Sequence, residues 1–313
     1  MSLVYAKKLS SGEIFFISDT KFTYPEPQTN NEEKVSSATE FFGGLKTIIL
    51  HGGMTVAFAG EVEYAKVAIE GIYEKDVNLW ELEPTLEYFK QFADASNGET
   101  DFLLSCYKED MTASLFKIQS NNIEEMQVAW IGDFDGFEEL QNNIQNSLQR
   151  DVEQGHSEAY IIGHSEEKQT TAGVREEIAK IYPSFLNTVN SEKCSTVSGS
   201  TTISCTSKIG NRYVEHHFIS GPPKEATSGN GAIYFGNASS GSHYIASGRE
   251  VNCPVYPVTF DMGKFGVIYS PTKCFTPQVI KYTDKSKYEE AYKLELQDVA
   301  KRIDSLYNRL YGH

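Results

Sequence analysis

Gly43-Gly44-Leu45-Lys46-Thr47-Ile48-Ile49-Leu50-His51-Gly52-Gly53-Met54-Thr55-Val56-Ala57-Phe58-Ala59-Gly60 is the stretch on which the fold of this chain turns. It divides into two short apolar runs, Thr47 to Leu50 and Thr55 to Ala59, around a His-Gly-Gly turn, the pattern of a β-hairpin. Lys46 stands alone at the mouth of the first strand, and Gly60 closes the second. Val62, Ala65, Ala68 and Ile69 then recur at helical spacing, while Glu61 and Glu63 suit the positive end of a helix beginning there. A lysine heading one strand and a glycine amide ending its neighbour are placed to converge on one small volume. The question for the rest of the chain is whether a nucleophile reaches it.

Upstream, Leu3 to Lys7 and Glu13 to Asp19 flank Leu9-Ser10-Ser11-Gly12, so the chain opens in a hairpin whose second strand ends at Asp19. Tyr24 to Glu40 is polar, carries Pro25 and Pro27, and is expected to be a loop. Downstream, Leu82, Leu86, Phe89 and Phe92 mark a second helix over Leu79 to Ala95, stopped by Asn97-Gly98. Strands are expected at Asp101 to Tyr107, Ala113 to Gln119 and Gln127 to Gly132. Asp133 or Asp135 is expected to cap a third helix with Phe137, Leu140, Ile144 and Leu148 on one face. Ala159 to Gly163 reads as a short strand and Val174 to Val189 as a fourth helix, bent or divided at Pro183. Thr201 to Ser207 and Arg212 to Ser220 read as another hairpin. Blocks of strands followed by blocks of helices suit helices layered on antiparallel sheets, an α+β fold, and not a repeating βαβ unit.

The composition shifts after Gly221-Pro222-Pro223, which divides a main domain, residues 1–221, from a C-terminal extension, 222–313. Within that extension Tyr256 to Tyr269 returns to strand character. Lys285 to Leu310 forms a long amphipathic helix striped by Tyr292, Leu296, Val299, Ile303, Leu306 and Leu310. The extension is expected to pack on the main domain, its stripe forming core or a subunit contact.

At 313 residues with 40% hydrophobic content, the chain is able to bury a full core. Its net charge of −15 argues against nucleic acid or an anionic membrane as partner, since both need clustered positive charge. No apolar run approaches a membrane span, and no basic-then-apolar leader opens the sequence. The cysteines number five, an odd and scattered set without a Cys-x-x-Cys pair, so neither a zinc site nor a disulfide framework is expected. Cys205 is expected to be a buried thiol, and a cytoplasmic location follows. Asp133-Phe134-Asp135 reads as a helix cap in preference to a metal pair. His216-His217 in a strand would face opposite sides. The glycine-rich segments near Gly229 and Gly236 lack the Gly-Lys-Ser/Thr of a phosphate loop. No cofactor and no metal is expected.

Hairpin, Asp19, Lys46 at a strand head, Ala59-Gly60 at a strand end, two helices and strands again: over residues 2 to 220 this order resembles the N-terminal-nucleophile hydrolases. Within them it is most similar to the proteasome β-subunit family and its small bacterial proteasome-like peptidases. The resemblance implies a four-layer αββα sandwich of two antiparallel sheets between helix pairs. It implies a Ser or Thr nucleophile at the mature N-terminus, an Asp and a Lys that support it, and a Gly amide as oxyanion hole. Those roles fall on Asp19 in Ser18-Asp19-Thr20-Lys21, on Lys46 and on Gly60. Ser198-Gly199 looks like the Ser-Gly that stands near the nucleophile's amine, although the Asp that the family places shortly before it is Ser195 here. Gly12 in the first turn sets Ser2 opposite the family's nucleophile, whereas counting back from Asp19 reaches Leu3.

Ser2 also makes chemical sense alone. Removal of Met1 is efficient before a small residue and would leave Ser2 with a free α-amine of pKa about 7.7–8.0, a base for its own hydroxyl near neutral pH. Lys46 would favour the developing alkoxide, Asp19 would hold Lys46, and Gly60 N–H would stabilise the oxyanion. The expected function is hydrolysis of peptides or other amides. The alternative is a non-catalytic relative of the same fold serving in binding or assembly. The resemblance also implies a homo-oligomer and allows a partner ATPase.

Overall fold

A computed structural model describes residues 2–21, 43–50, 53–108, 112–154, 172–189, 191, 193–194, 197, 201–214, 216–219, 226–229, 232–235, 243–246, 252–260 and 265–312. The opening hairpin is β1 (Leu3–Lys8) and β2 (Ile14–Asp19), with Val4 opposite Ser18 and Lys8 opposite Ile14. They join β8 (Val128–Gly132), β9 (Thr201–Ser207) and β10 (Gly210–Tyr213) in one antiparallel sheet, ordered β10-β9-β2-β1-β8. The decisive stretch forms β3 (Thr47–Leu50) and β4 (Met54–Gly60), in which Thr47 pairs Ala57. A second antiparallel sheet continues from them through β5 (Thr100–Tyr107), β6 (Ala113–Gln119) and β7 (Asn122–Met126).

Alternation of side chains sorts these strands into three buried layers. Val4, Ala6, Ile14 and Phe16 of the first sheet meet Ala57, Ala59, Leu103 and Leu115 of the second, so the two sheets pack face to face. On the outer face of the second sheet, Val56, Phe58, Phe102 and Leu104 lie under helices α1 (Val62–Glu70) and α2 (Leu82–Ala95). On the outer face of the first, Leu3, Tyr5, Phe15 and Ile17 lie under α3 (Phe134–Gln154) and α4 (Ala172–Val189). The architecture is mixed α and β, with two large antiparallel sheets between helix pairs.

Several expectations shift in detail. The second helix starts at Leu82, not Leu79, because Leu79 belongs to the turn before it. The third helix is capped by Asp133, whose Oδ1 accepts from the N–H of Asp135 at 2.9 Å and of Gly136 at 3.2 Å. Pro183 lies inside α4 and does not divide it. Strand β7 has no counterpart in the sequence reading, and β7 and β8 belong to different sheets. The span Arg212 to Ser220 is not one strand. It divides into β10 and β11 (His216–Ile219), and β11 crosses into a third sheet. The expected strand Ala159 to Gly163 and the loop Tyr24 to Glu40 lie outside the described residues.

That third antiparallel sheet runs β11-β14-β15-β16-β17, with β14 (His243–Ala246), β15 (Tyr256–Phe260), β16 (Phe265–Tyr269) and β17 (Gln278–Lys281). A separate two-stranded ribbon pairs β12 (Ala226–Gly229) with β13 (Ala232–Phe235). Helix α5 (Ser286–Tyr311) buries Val299 and Leu306 of its stripe, which is core, and Tyr288 beside it. Tyr256, Val267, Tyr269, Cys274 and Phe275 enter the same apolar cluster as α1 and α2. Arg309 donates to the carbonyl of Tyr73 at 2.8 Å, so α5 is also tied to the segment after α1. Among the described residues, no helix is long and apolar enough to cross a membrane.

Candidate functional site

One end of the sheet sandwich brings together the last residue of β2, the residue before β3 and the first residues of the described chain. Gly44 N–H donates to Thr20 O at 2.9 Å, which lays the approach to β3 against the exit from β2. Lys46 consequently reaches Asp19, its Nζ donating to Oδ1 at 2.8 Å. The same Oδ1 accepts the Leu3 amide at 2.9 Å. Both side chains of the pair are fully buried. Burial pulls the Lys46 ammonium below its ordinary range, and the adjoining Asp19 carboxylate works in the opposite direction. A buried cation held to a carboxylate that also grips the peptide bond after Ser2 is a compact charge device. Below it, Thr47 Oγ1 donates to Ser18 Oγ at 3.0 Å and ties the two sheets a second time.

Ser2 is 3% exposed. Its carbonyl accepts from Asp133 N–H at 2.7 Å. Leu3 turns its side chain under α3 and α4, among Tyr5, Phe15 and Ile17, whereas Val4 turns toward the second sheet. Alternation therefore gives Ser2 the face of Val4, which looks across at β4. Gly132 adjoins it with φ of +109°. A Cβ at Gly132 would stand 1.8 Å from Ser2 O and 3.2 Å from the Cβ of Ala59, so only glycine lets these three backbones meet.

Gly60 ends β4 with φ of +115°, and a Cβ there would stand 1.9 Å from Glu99 O. Phe58 N–H donates to Lys46 O at 3.1 Å, so that edge of β4 faces Lys46. Gly60, two residues on, directs its N–H to the same edge, past the end of β3. Asp19, Lys46 and the Ser2 backbone thus gather at one end of the sandwich, with Gly60 N–H directed to the Lys46 edge of β4. Ser198 and Ser195 lie outside the described residues.

Two contributors escaped the sequence reading: Gly132, and the Asp133 N–H that holds Ser2 O. The signal available was a glycine at the end of an apolar strand directly before a helix cap. Cys205 is buried as expected, its thiol pushed up to about 12 by burial, with Glu13 adding and Arg212 opposing. No protein-family model matches the chain, and no curated protein matches it significantly.

Proposed function

We propose that the chain is an N-terminal-nucleophile amidohydrolase of proteasome-like fold, using Ser2 after removal of Met1. The observation that carries the proposal is the shared Asp19 Oδ1, which binds Lys46 Nζ and the Leu3 amide together and so fixes a buried cation beside Ser2. The placement of two antiparallel sheets between helix pairs supports the four-layer sandwich that the resemblance implies.

In this reading the Ser2 amine takes the hydroxyl proton as Oγ attacks the carbonyl carbon of an amide. Lys46 stabilises the developing alkoxide and Asp19 orients Lys46. Gly60 N–H receives the oxyanion, a donor worth on the order of 3 kcal/mol. The proton passes from the amine to the departing amine of the substrate, leaving an ester on Ser2. Water then attacks the ester, releases the acid and restores the hydroxyl. The resemblance adds Ser198 beside the amine, an assembly of several copies, and a partner ATPase as gate.

A second reading, a non-catalytic subunit for binding or assembly, draws on the closure of the site. With Asp19 and Lys46 fully buried and Ser2 nearly so, the ion pair also serves as a staple between sheets.

Intact mass before and after treatment with a peptide epoxyketone, which needs both a hydroxyl and a free N-terminal amine, separates the two. Loss of Met1 with a single adduct that disappears in Ser2→Ala is expected. Retained Met1 without an adduct overturns the hydrolase reading, and sizing chromatography then tests the assembly reading.

A further inference from the structure

Away from the Lys46–Asp19 pair, the space between the two large sheets changes character from apolar to hydroxylic. Strand β9 turns Ser204 and Thr206 toward the second sheet, and β10 adds Asn211, opposite Thr206 in the ladder. The second sheet answers with Thr55 and Ser105, themselves a cross-strand pair on the face that carries Ala57 and Leu103. Ser105 Oγ and Thr206 Oγ1 meet at 2.6 Å, which locks the two groups together. Cross-strand partners stand roughly 5 Å apart at Cβ and diagonal neighbours about 7–8 Å. The five side chains therefore line one small volume, and all five are fully buried.

Among these side chains, Thr55 Oγ1, Ser204 Oγ and both amide atoms of Asn211 have no hydrogen-bond partner among the described residues. Leaving such groups desolvated and unpaired is unfavourable, so a guest that bonds them is stabilised. Packed sheets stand about 10 Å apart, a gap that large side chains fill in the neighbouring apolar layer and that Ser and Thr do not. The lining is thus short, buried and polar with unpaired donors and acceptors, which favours bound water.

We infer that this chamber is a binding site for ordered internal water, about two molecules, held by Thr55, Ser204 and Asn211. The chemistry selects water over an ion. The lining holds no carboxylate, and Asn211 offers a donor and an acceptor at once, so the guest must both accept and donate. A bare cation satisfies only the oxygens and leaves Asn211 Nδ2 unpaired. Tyr213, beside Asn211 on the same strand face and opposite Ser204, closes one wall while its hydroxyl accepts Ile49 N–H at 3.1 Å. Toward the candidate site, Thr202 pairs Ser18, whose Oγ bonds Thr47, so the hydroxyl lining runs along β9 to the Lys46 end.

The test uses the full chain. Oxygen-17 relaxation dispersion counts long-lived internal waters in the native protein, Thr55→Val and Asn211→Leu, and a high-resolution crystal structure locates them. Water within hydrogen-bond distance of Thr55 Oγ1, Ser204 Oγ and the Asn211 amide is expected, with the count falling by at least one in Thr55→Val. Thr55→Val is nearly isosteric and keeps the measurement meaningful if Asn211→Leu fails to fold. A dry chamber, an unchanged count in Thr55→Val, or a rubidium anomalous peak between these side chains overturns the inference. None of these readouts depends on turnover, so the outcome is independent of whether the chain is a hydrolase.

Discussion

Replacing Asp19 by Asn is the sharpest perturbation of the candidate site. The carboxylate is fully buried and shared between Lys46 Nζ at 2.8 Å and Leu3 N–H at 2.9 Å. Asn keeps an oxygen for the Leu3 amide but removes the charge opposite Lys46, stranding an ammonium in the interior. Breaking a buried pair by one partner typically costs 3–5 kcal/mol, so about 4 kcal/mol is expected for Asp19→Asn. Lys46→Met alone should cost about 3 kcal/mol, less than Asp19→Asn because the remaining carboxylate still accepts Leu3 N–H. The double variant, with neither charge, should lie well above the sum of the singles, with a coupling of at least about 2 kcal/mol. Denaturant midpoints at a common slope measure all four corners. A pH series adds an independent check. Burial depresses the folded Lys46 pKa below the unfolded value of about 10.4, so between these two values the unfolded chain binds more protons. Stability relative to Lys46→Met should therefore rise with pH across that window and level off beyond it. Additive single effects, or a cost below about 1 kcal/mol for Asp19→Asn, would refute the assignment of the pair as a tightly coupled buried device.

Gly132→Ala should destabilise by more than about 2 kcal/mol in denaturant titration, because its φ of +109° is strained for alanine and its Cβ would collide with Ser2 O. Tyr213→Phe removes the acceptor of the Ile49 amide on the outer edge of β3 and should cost about 1–2 kcal/mol by the same assay. Leu306→Ala in the last helix should cost about 2–4 kcal/mol if the extension shares the central core, and near zero if it packs loosely. Cys205 and Cys274, both buried with thiols pushed upward by burial, should resist a maleimide at pH 8 until the protein is unfolded, as read by mass.

Residues with strong local signals were legible in the sequence. The opening hairpin, the β3–β4 pair and the stripe of the last helix follow from periodicity alone, and a cap at Asp133 or Asp135 from its place before an apolar helix face; the structure selects Asp133. Lys46 and Asp19 were paired through the resemblance, and their contact follows from the approach of Gly44 to Thr20. What escaped had no local signature. Strand β7, Asn-Ile-Glu-Glu-Met, is an edge strand largely open to solvent, so neither face carries an apolar alternation. The break between β10 and β11 marks where the chain leaves the first sheet for a distant partner, β11 pairing with β14, and such pairing has no local signal. The hydroxyl chamber was invisible because Ser and Thr in a strand ordinarily mark a solvent face. Here they face another sheet. Ser198 lies beyond the described residues, and its place rests on the resemblance alone.

The register of the first hairpin bears on the open choice between Ser2 and Leu3. The two countings differ by one residue, and in a strand one residue is a change of face. Leu3 is committed to the apolar layer under α3 and α4, so a polar nucleophile in its place would sit among Phe15, Ile17 and Val174. Ser2 occupies the opposite face, beside Gly132 and across from Ala59 at the end of β4. Its two backbone anchors are the carbonyl bonded to Asp133 N–H and the following amide bonded to Asp19. Both lie on the C-terminal side of the Ser2 α-carbon. Removal of Met1 would expose the amine without breaking either anchor, so processing and preorganisation are compatible at Ser2. At Leu3 they are not, because cutting before Leu3 converts the amide that Asp19 holds into the new terminus and discards the carbonyl that Asp133 holds.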